Sequence, residues 1–411
     1  MRELTDFSTP GPMPSEALLA LQVCAGNNPL FPNLKSLHLW SVTEQFVPFI
    51  PMFLSSRTTT IDITSPDSYP PIPIVASVIT TFPTLSPDLQ RIELASLPRD
   101  PKITAAVSEM LLAINRKALR YVHVDSPVTK EAREVMHNLP DLRGLSVVIE
   151  EDSSLPRVVL PNLTGLTVKY LRDNDWLEVF RGATFGKLES VTFYSTSGCV
   201  GDFLKAFKEV AITTSILATL STLKSYTQYP WIPNYRALLP FTQLRELEID
   251  FPCGRSCSST INDDIIIDMA RAMPKLEILR LDGLPCESIR NGVTSDGLTA
   301  LAHHCLHLSI LRIHFQVASL YPPTIFGDSS GNRLTPPREV CALTDLEVGS
   351  IPVPEGSTLM VALALLRIFP HIYFIDHYGT GWEEVMYAID RSKRLVDLPG
   401  EEPSPACSNS S

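Results

Sequence analysis

Pro274-Lys-Leu-Glu-Ile-Leu-Arg-Leu281 is the clearest copy of a phrase that returns along the whole chain. Its core is the pattern L-x-x-L-x-L, in which the last two leucines stand two residues apart. Side chains two apart along a β-strand point to the same side of it, and their immediate neighbours point to the other side. Each copy of the phrase therefore predicts one short strand with one apolar side.

The other copies follow one another at irregular intervals. Their first apolar residues are Leu34, Thr58, Leu89, Leu119, Leu142, Leu163, Leu188, Leu223, Leu244, Leu308, Leu343 and Ile372. The interval ranges from 21 residues, between Leu142 and Leu163, to 35 residues, between Leu308 and Leu343. Periods in this range are typical of solenoid repeats. The copies at Thr58, Leu223 and Ile372 are degenerate, so the number of repeats stays open.

A single strand of this kind cannot bury its apolar side alone. It has to stack on the next copy, and a helix has to return the chain to the start of the next strand. The helices predicted between copies are residues 103–117, 129–138, 175–180, 201–220, 262–272, 295–304, 354–369 and 382–390. The sequence therefore predicts an α/β leucine-rich-repeat solenoid, a horseshoe with parallel strands on its concave side and helices on its convex side.

The two ends and one internal link lack this pattern. Residues 1–14 contain prolines and no periodicity, so we expect a disordered N-terminus, followed by a cap helix from Ser15. Residues 15–397 are predicted to form the repeat domain, and residues 398–411, rich in Pro, Glu and Ser, a disordered tail. The prolines between Thr64 and Val75 predict an extended link there.

Composition limits the classes of partner. The chain has 411 residues and a formal net charge of −11, which argues against a nucleic-acid binder and against an anionic membrane surface as partner. No apolar stretch is long enough to span a bilayer, and the N-terminus has no signal-peptide pattern. The 8 cysteines are scattered, as in reduced proteins. We therefore expect an intracellular protein, in the cytoplasm or the nucleus.

Few residues in the sequence indicate catalytic activity or metal binding. His303, His304 and His307 have a spacing that could share a zinc ion, but no acidic residue stands between them, and the favoured interpretation is a helix end that leads into the strand at Leu308. Cys253 and Cys257 lack a second pair of ligands at zinc-ribbon distance. No phosphate-binding loop, dinucleotide motif or nucleophile elbow is present. We expect no enzyme activity, no cofactor and no metal.

The residues that flank the buried apolar pair of each strand are the candidate binding residues. They are predicted to share the concave face, and they comprise Trp40, Arg91, Tyr121, His123, Lys169, Tyr194, Glu246, Glu248, Asp250, Arg280, Arg312 and Glu347. The aromatic residues gather in the N-terminal half and the acidic residues in the C-terminal half. One hypothesis is that this face binds a protein segment that is basic where it meets the later repeats, with Trp40, Tyr121 and Tyr194 as apolar anchors. The alternative is that these are ordinary solvated strand residues.

Several stretches also resemble a known family. They are Phe31-Pro-Asn-Leu-Lys-Ser-Leu-His-Leu-Trp40, Val47-Pro-Phe-Ile-Pro51, Ile79-Thr-Thr-Phe-Pro83, Leu160-Pro-Asn-Leu-Thr164 and Ala272-Met-Pro-Lys-Leu-Glu-Ile-Leu279. Together they resemble the leucine-rich-repeat proteins of mushroom-forming (basidiomycete) fungi that usually carry an N-terminal F-box. In that family the F-box binds the adaptor of a cullin-RING ubiquitin ligase, and the repeats hold the protein to be ubiquitinated.

The resemblance implies a non-catalytic protein that corresponds to the substrate-recognition part of such a ligase subunit. The F-box itself does not precede the first repeat in this sequence. We therefore expect the cullin-RING adaptor as a partner only if an F-box is encoded upstream. The alternative that remains open is a leucine-rich-repeat scaffold with no role in ubiquitination.

Overall fold

The computed structural model describes residues 3–5, 15–26, 28–40, 42–43, 45–64, 71–149, 159–170, 184–195, 207–209, 211, 216–227, 235–250, 261–281, 292–320, 340–349 and 351–396. The chain divides into two compact units, Met1–Gly254 and Arg255–Ser411, where the sequence predicted one repeat domain over residues 15–397. The predicted tail, residues 398–411, and the predicted helix at 175–180 lie outside the described residues.

The first unit is built on parallel strands that follow one another in chain order. They are β1 (Glu3–Thr5), β2 (Ser36–Trp40), β3 (Thr60–Thr64), β4 (Arg91–Ala95), β5 (Tyr121–Val124), β6 (Gly144–Ile149), β7 (Val159–Leu160), β8 (Gly165–Tyr170), β9 (Thr184–Phe185), β10 (Ser190–Ser195), β11 (Thr222–Thr227) and β12 (Glu246–Asp250). Strands β7 and β9 pair separately with each other, and the remaining strands form one sheet in sequence order. All the strand pairs recorded in this unit are parallel.

Helices connect these strands. They are α1 (Ser15–Ala25), α2 (Ile72–Leu85), α3 (Pro101–Ala113), α4 (Lys130–His137) and α5 (Ile216–Thr219), with 3-10 turns at Val47–Phe53 and Tyr235–Leu238. Asp100 caps α3 by accepting a hydrogen bond from the N–H of Lys102 at 2.8 Å, as expected for an N-cap side chain. The helices predicted at 103–117 and 129–138 are thus confirmed; α3 begins two residues earlier and ends four residues earlier than predicted, and α4 is one residue shorter at each end. Of the helix predicted at 201–220, the described part is helical at 207–209, 211 and 216–219.

Two described segments of the N-terminal part differ from what the sequence predicted. Residues Glu3–Thr5 form a strand beside Ser36–His38, although no hydrophobic periodicity predicts a strand there. Helix α2 begins at Ile72, inside the stretch whose prolines predicted an extended link. Pro71 and Pro73 lie at its N-terminus, where the first N–H groups of a helix have no intrahelical partner in any case. Prolines at that position begin a helix and do not prevent one.

One backbone motif recurs at the start of the strands. Two successive N–H groups donate to a single carbonyl of the preceding repeat, as Thr59 and Thr60 do to Lys35 O at 2.8 and 3.0 Å. Arg143 and Gly144 do the same to Arg120 O at 2.7 and 3.1 Å. The motif fixes the register of each strand on its predecessor, independently of the side chains. The alternation of parallel strands and helices that the sequence predicts is therefore confirmed in the backbone.

The same motif corrects one repeat. Ser221 and Thr222 both donate to Glu189 O, at 2.8 and 3.0 Å, so the first apolar residue of this copy is Leu220 and not Leu223. Ser225 then occupies a position that is apolar in other copies, and it is 1% exposed. The buried serine breaks the L-x-x-L-x-L pattern, and this is why the sequence placed the repeat three residues too late.

The second unit repeats this arrangement. Its strands are β13 (Ile278–Leu281), β14 (Ile310–Ile313), β15 (Asp345–Gly349) and β16 (Phe374–His377), which pair in parallel in chain order. Its helices are α6 (Asp263–Ala272), α7 (Ser295–His304), α8 (Thr358–Ile368) and α9 (Trp382–Val396), with a 3-10 turn at Val317–Leu320. These helices confirm the four predicted in this part of the sequence. Leu276, Leu279 and Leu281 are completely buried.

Among the residues described, none of the helices has the length and apolar character needed to cross a bilayer.

In each unit the apolar side of the strands forms the core, as at Leu37, Leu39, Ile92 and Leu94. A fully buried aliphatic side chain contributes about 1.5–3 kcal/mol to the free energy of folding relative to an exposed one. The buried side chains on one side of each strand therefore stabilise the sheet, and the side chains on the other side are available for contacts.

Candidate functional site

In the first unit's main sheet, the side chains that alternate with the apolar core residues form one face, which we call the polar face. Strand register aligns them in rows that run across the strands. The first row contains Ser36, Thr60, Arg91, Tyr121, Gly144, Gly165, Ser190, Thr222 and Glu246. The second contains His38, Asp62, Glu93, His123, Ser146, Thr167, Thr192, Lys224 and Glu248. The third begins with Trp40, Thr64 and Ala95 and ends with Val148, Lys169, Tyr194, Tyr226 and Asp250.

These rows bring together nine of the predicted binding residues. They are Trp40, Arg91, Tyr121, His123, Lys169, Tyr194, Glu246, Glu248 and Asp250. The other three, Arg280, Arg312 and Glu347, lie in the second unit. Sequence reasoning omitted Asp62, Lys224 and Tyr226 from the face, because the copies of the phrase at Thr58 and Leu223 are degenerate.

The N-terminal part of the polar face combines an exposed indole with a histidine that contacts carboxylates. His38 Nδ1 lies 3.1 Å from Asp62 Oδ2, and His38 Nε2 lies 3.8 Å from Glu3 Oε1. The side chain of Trp40, in the next row, is 56% exposed. An aromatic side chain with this exposure can contribute a large apolar contact to a partner.

A depression of about 260 Å³ lies in the middle of the polar face. Its floor includes Gly144 and Gly165, which are neighbours in the first row. Because glycine has no side chain, the backbone of the sheet is uncovered there. A Cβ at Gly144 would stand 2.6 Å from Tyr121 Cδ1, whereas a Cβ at Gly165 would have nothing within 4 Å. The ring of Tyr121 therefore leans over one glycine, and the second glycine leaves the depression open.

Charged and hydroxyl groups line this depression. The guanidinium of Arg91 lies 5.7 Å from the ring centroid of Tyr121 and donates to Glu93 Oε2 at 2.8 Å. Ser146 is 4% exposed, and its hydroxyl has no hydrogen-bond partner among the described residues. A buried hydroxyl without a partner costs about 1–3 kcal/mol. Ser146 thus provides an unused hydrogen-bonding group at the wall of the depression.

Next to the depression, Asp125 holds a lysine and a histidine side chain. Its Oδ1 accepts from the ammonium group of Lys169 and lies 3.0 Å from His123 Nε2, while its Oδ2 accepts from the N–H of Ser96 at 3.1 Å. Burial would raise the pKa of Asp125, but the hydrogen bonds from His123, Lys169 and Ser96 outweigh it and lower that pKa. The carboxylate is therefore charged at neutral pH and fixes Lys169 on the face.

Aromatic rings continue the third row. Lys169 Nζ lies 5.3 Å from the ring centroid of Tyr194. Tyr194 and Tyr226 are stacked with centroids 4.9 Å apart and an interplanar angle of 16°. Burial raises the pKa of both phenols, helped by the charge of Asp125 at Tyr194 and of Glu248 at Tyr226, so both phenols are neutral and the pair offers a rigid apolar surface.

The acidic end of the polar face carries a lysine that the sequence prediction lacked. Lys224 Nζ lies 2.6 Å from Glu246 Oε1 and 3.4 Å from Glu248 Oε2. Burial would lower the pKa of Lys224, but its hydrogen bond to Glu246 and the two carboxylate charges raise it. Glu246, Glu248 and Asp250 supply three negative charges against one positive charge, which leaves a formal excess of two. The predicted acidic cluster is therefore present but partly neutralised.

In the second unit, the three remaining predicted residues form one ionic cluster. Arg280 Nε and Nη2 lie 3.0 and 2.9 Å from Glu347 Oε1, and Arg312 Nε lies 3.7 Å from Glu347 Oε2. Register places Arg280 opposite Arg312 and Arg312 opposite Glu347. The glutamate thus compensates the repulsion of two neighbouring arginines, which is a structural role for residues that the sequence proposed for binding.

The described histidines that the sequence offered as possible metal ligands, and Cys305 between them, lie at a helix end, in surroundings that favour a structural role. His303 and His304 lie exposed in the last turn of α7, and within the described ranges no group of three or more His, Cys, Asp and Glu could hold a metal ion. Cys305 ends that helix, with its thiol 3.6 Å from Met273 O, and burial raises its pKa to about 12. Such a thiol is unreactive at neutral pH. Cys253 and Cys257 lie outside the described residues.

The polar face of the first unit is therefore the strongest candidate site. It joins exposed aromatic rings, fixed charges of both signs and a depression with an unused buried hydroxyl. No protein-family model matches this chain, and no curated protein matches it.

Proposed function

We propose that this chain is a leucine-rich-repeat protein whose polar face binds a segment of another protein. The recurring phrase and the recurring backbone motif support the repeat class, and in that class the polar face is the concave side of a horseshoe. The proposal assigns the chain no catalytic step, no cofactor and no metal. The observation that carries it is the depression on the polar face, where the buried hydroxyl of Ser146 has no hydrogen-bond partner among the described residues.

The chemistry of the polar face favours a protein partner over a nucleic acid. A nucleic-acid site needs a stripe of basic side chains to neutralise phosphates, whereas here cations alternate with carboxylates and the chain has a net charge of −11. Trp40, Tyr121 and Tyr194 are 56%, 38% and 40% exposed. Tyrosine, tryptophan and arginine are the residue types that dominate the energetics of protein interfaces. A partner segment that is basic near Glu246 and Glu248 would meet the excess of negative charge there.

Within this class, the resemblance to fungal F-box proteins favours the substrate-recognition part of a cullin-RING ubiquitin ligase, acting inside the cell. Co-purification of the natural protein with the cullin adaptor tests this assignment. If the adaptor is absent from the purified complex while the polar face still binds its partner, the chain is a repeat scaffold independent of ubiquitin.

Proximity labelling in cells tests the role of the polar face. The wild-type chain is compared with Trp40→Ala and with the double variant Glu246→Lys/Glu248→Lys. Matched controls are Tyr387→Ala, which removes an aromatic ring that is 69% exposed on α9, and Glu383→Lys/Glu384→Lys, which reverses two exposed charges on the same helix.

We expect the polar-face variants to lose proteins that the wild type and both controls label. Thermal unfolding of each variant shows whether it is folded; Trp40→Ala is the decisive variant, because an exposed ring contributes little to stability. Labelling profiles that are the same for Trp40→Ala and for the wild type would refute binding at the N-terminal part of this face, and unchanged profiles for a folded double variant would refute it at the acidic end.

A further inference from the structure

The depression on the polar face differs in charge from the rest of the chain. We call it the glycine pocket, after Gly144 and Gly165 at its floor. Its charged residues include Arg91 and Glu93, which pair with each other, and Arg143, which is exposed. The guanidinium of Arg143 has no hydrogen-bond or ion-pair partner among the described residues. Two arginines against one glutamate leave one positive charge in a chain whose net charge is −11.

We propose that the glycine pocket binds a carboxylate of the partner segment, from an aspartate or glutamate side chain. This inference rests on the proposed function and specifies its ligand. A guanidinium matches a carboxylate in charge and can bind it through two parallel hydrogen bonds. The hydroxyl of Ser146 donates to the same group and thereby gains the partner that it lacks.

The size of the pocket fits one side chain better than a cofactor. Its volume of about 260 Å³ is below the roughly 300–1,000 Å³ of pockets that enclose drug-sized ligands and cofactors. The hydroxyl of Thr164 already donates to Arg143 O at 3.0 Å and is not available. Thr167 and Ser190, which also line the pocket, have hydroxyls that can bond the rest of the bound group or a water molecule.

The strand order relates this pocket to the acidic end of the polar face. Three strand steps separate β8, which carries Gly165, from β12, which carries Glu246, and four separate β6 from β12. At about 4.8 Å per step, the distance is roughly 14–19 Å, and an extended chain covers it in roughly four to six residues. We therefore infer that the partner segment runs across the strands with an acidic residue in the glycine pocket and a basic residue four to six positions away.

Filling the pocket is the direct test. Gly165→Leu places a side chain where a Cβ meets nothing within 4 Å, and Gly165 has no left-handed backbone conformation that would strain it. Arg143→Gln removes the charge from an exposed side chain. Ser36→Leu, in the same row but outside the span from β6 to β12, is the matched control. Thermal unfolding of each full-length variant checks that the fold is kept.

The probe is a displayed library of random linear peptides, selected in parallel on the immobilised full-length wild-type and variant chains. We expect the wild type and Ser36→Leu to enrich peptides with Asp or Glu four to six positions from Lys or Arg. On Gly165→Leu and Arg143→Gln the acidic residue should lose its enrichment while the basic residue keeps it. Measured with one enriched synthetic peptide, each pocket variant should bind about tenfold to a hundredfold more weakly than the wild type.

The outcomes separate this inference from the proposed function. If the wild type enriches peptides without an acidic preference, or if Gly165→Leu binds the synthetic peptide as the wild type does, the carboxylate site is refuted while peptide binding at the face stands. If the wild type enriches no peptide, both are refuted. A phosphoserine version of the peptide that binds more than about tenfold better than the aspartate or glutamate version would replace the carboxylate by a phosphoryl group as the ligand.

Discussion

Two buried serines in the first unit should respond in opposite ways to the same substitution. Ser225 is 1% exposed, and its hydroxyl has no hydrogen-bond partner among the described residues. Ser86 is completely buried, and its hydroxyl donates to Ser55 O at 3.0 Å. Replacement by alanine removes one oxygen in each case. The environment of that oxygen therefore determines the sign of the effect.

The magnitudes follow from the cost of burying a hydroxyl. A buried polar group without a partner costs about 1–3 kcal/mol, and a typical satisfied hydrogen bond contributes about 0.5–1.5 kcal/mol. Ser225→Ala relieves the first cost but leaves a small void, so we expect a gain of about 1 kcal/mol in the free energy of unfolding. Ser86→Ala should lose about 1 kcal/mol, because Ser55 O keeps the N–H of Thr58 as its other donor.

Urea unfolding of the full chain, followed by circular dichroism, measures both effects. The two midpoints should move to opposite sides of the wild-type midpoint with the slope unchanged. A Ser225→Ala variant that is destabilised as much as Ser86→Ala would show that the Ser225 hydroxyl is bonded in solution. It would refute the claim that Ser225, the residue that breaks the L-x-x-L-x-L pattern of this copy, destabilises the fold.

Three further predictions follow from individual sites. Burial lowers the pKa of His137 to about 4, so the unfolded chain binds a proton first as pH falls; wild type should lose about 2 kcal/mol between pH 7.5 and 5 relative to His137→Phe, measured by urea unfolding at both pH values. The lowered pKa of Asp125 gives stability that is present above the ordinary carboxyl pKa of about 4 and is lost as pH falls below it; the unfolding midpoint of Asp125→Asn should change less over that acidic range than that of the wild type. A Cβ at Gly186 would stand 2.6 Å from Pro161 O, so Gly186→Ala should destabilise by about 1–3 kcal/mol, while Gly165→Ala should change thermal stability by no more than about 0.5 kcal/mol.

Strands were predictable where a copy of the phrase keeps its three apolar positions. Leu276, Leu279 and Leu281 are all buried, and their spacing alone predicts the strand Ile278–Leu281 and the side of it that is covered. Hydrophobic spacing carries this information because a strand that buries one side must alternate. The helix predictions at 262–272 and 295–304 agree with a second local signal. Asn262 and Thr294 are N-cap residues whose side chains accept hydrogen bonds from backbone N–H groups of the first turn.

Positions that break the alternation were not predictable from one copy. Ser225 occupies a buried position, so the copy of the phrase was read from Leu223, and Lys224 and Tyr226 were left off the polar face. The register of β11 on β10, where Leu223 faces Val191, is a long-range property that a single strand does not contain. The charge of the acidic end depends on this register, because Lys224 reaches Glu246 and Glu248 only from the correct row.

The glycine pocket was missed for a different reason. The candidate binding residues were chosen by the side chains they carry, and a glycine carries none. Its signal was nevertheless in the sequence: Leu142-Arg-Gly-Leu145 and Leu163-Thr-Gly-Leu166 place glycine at the same position of two successive copies. Because strands pair in register, equal positions in successive copies become neighbours in a row. Two aligned glycines therefore predict a gap in a face that is otherwise covered with side chains.

Charges on the polar face differ in how much a partner can gain from them. Glu246 and Glu248 already pair with Lys224, and Asp125 already pairs with Lys169. A partner that binds any of these groups must therefore compete with an ion pair that is intramolecular and partly exposed to solvent. Exchanging one exposed or half-exposed ion pair for another contributes little net free energy. The hydroxyl of Ser146 has no such competitor within the described residues, and the free energy lost by burying it is recovered only when a ligand bonds to it. Affinity should therefore depend most on the glycine pocket, while the paired charges around it govern the orientation of the bound segment.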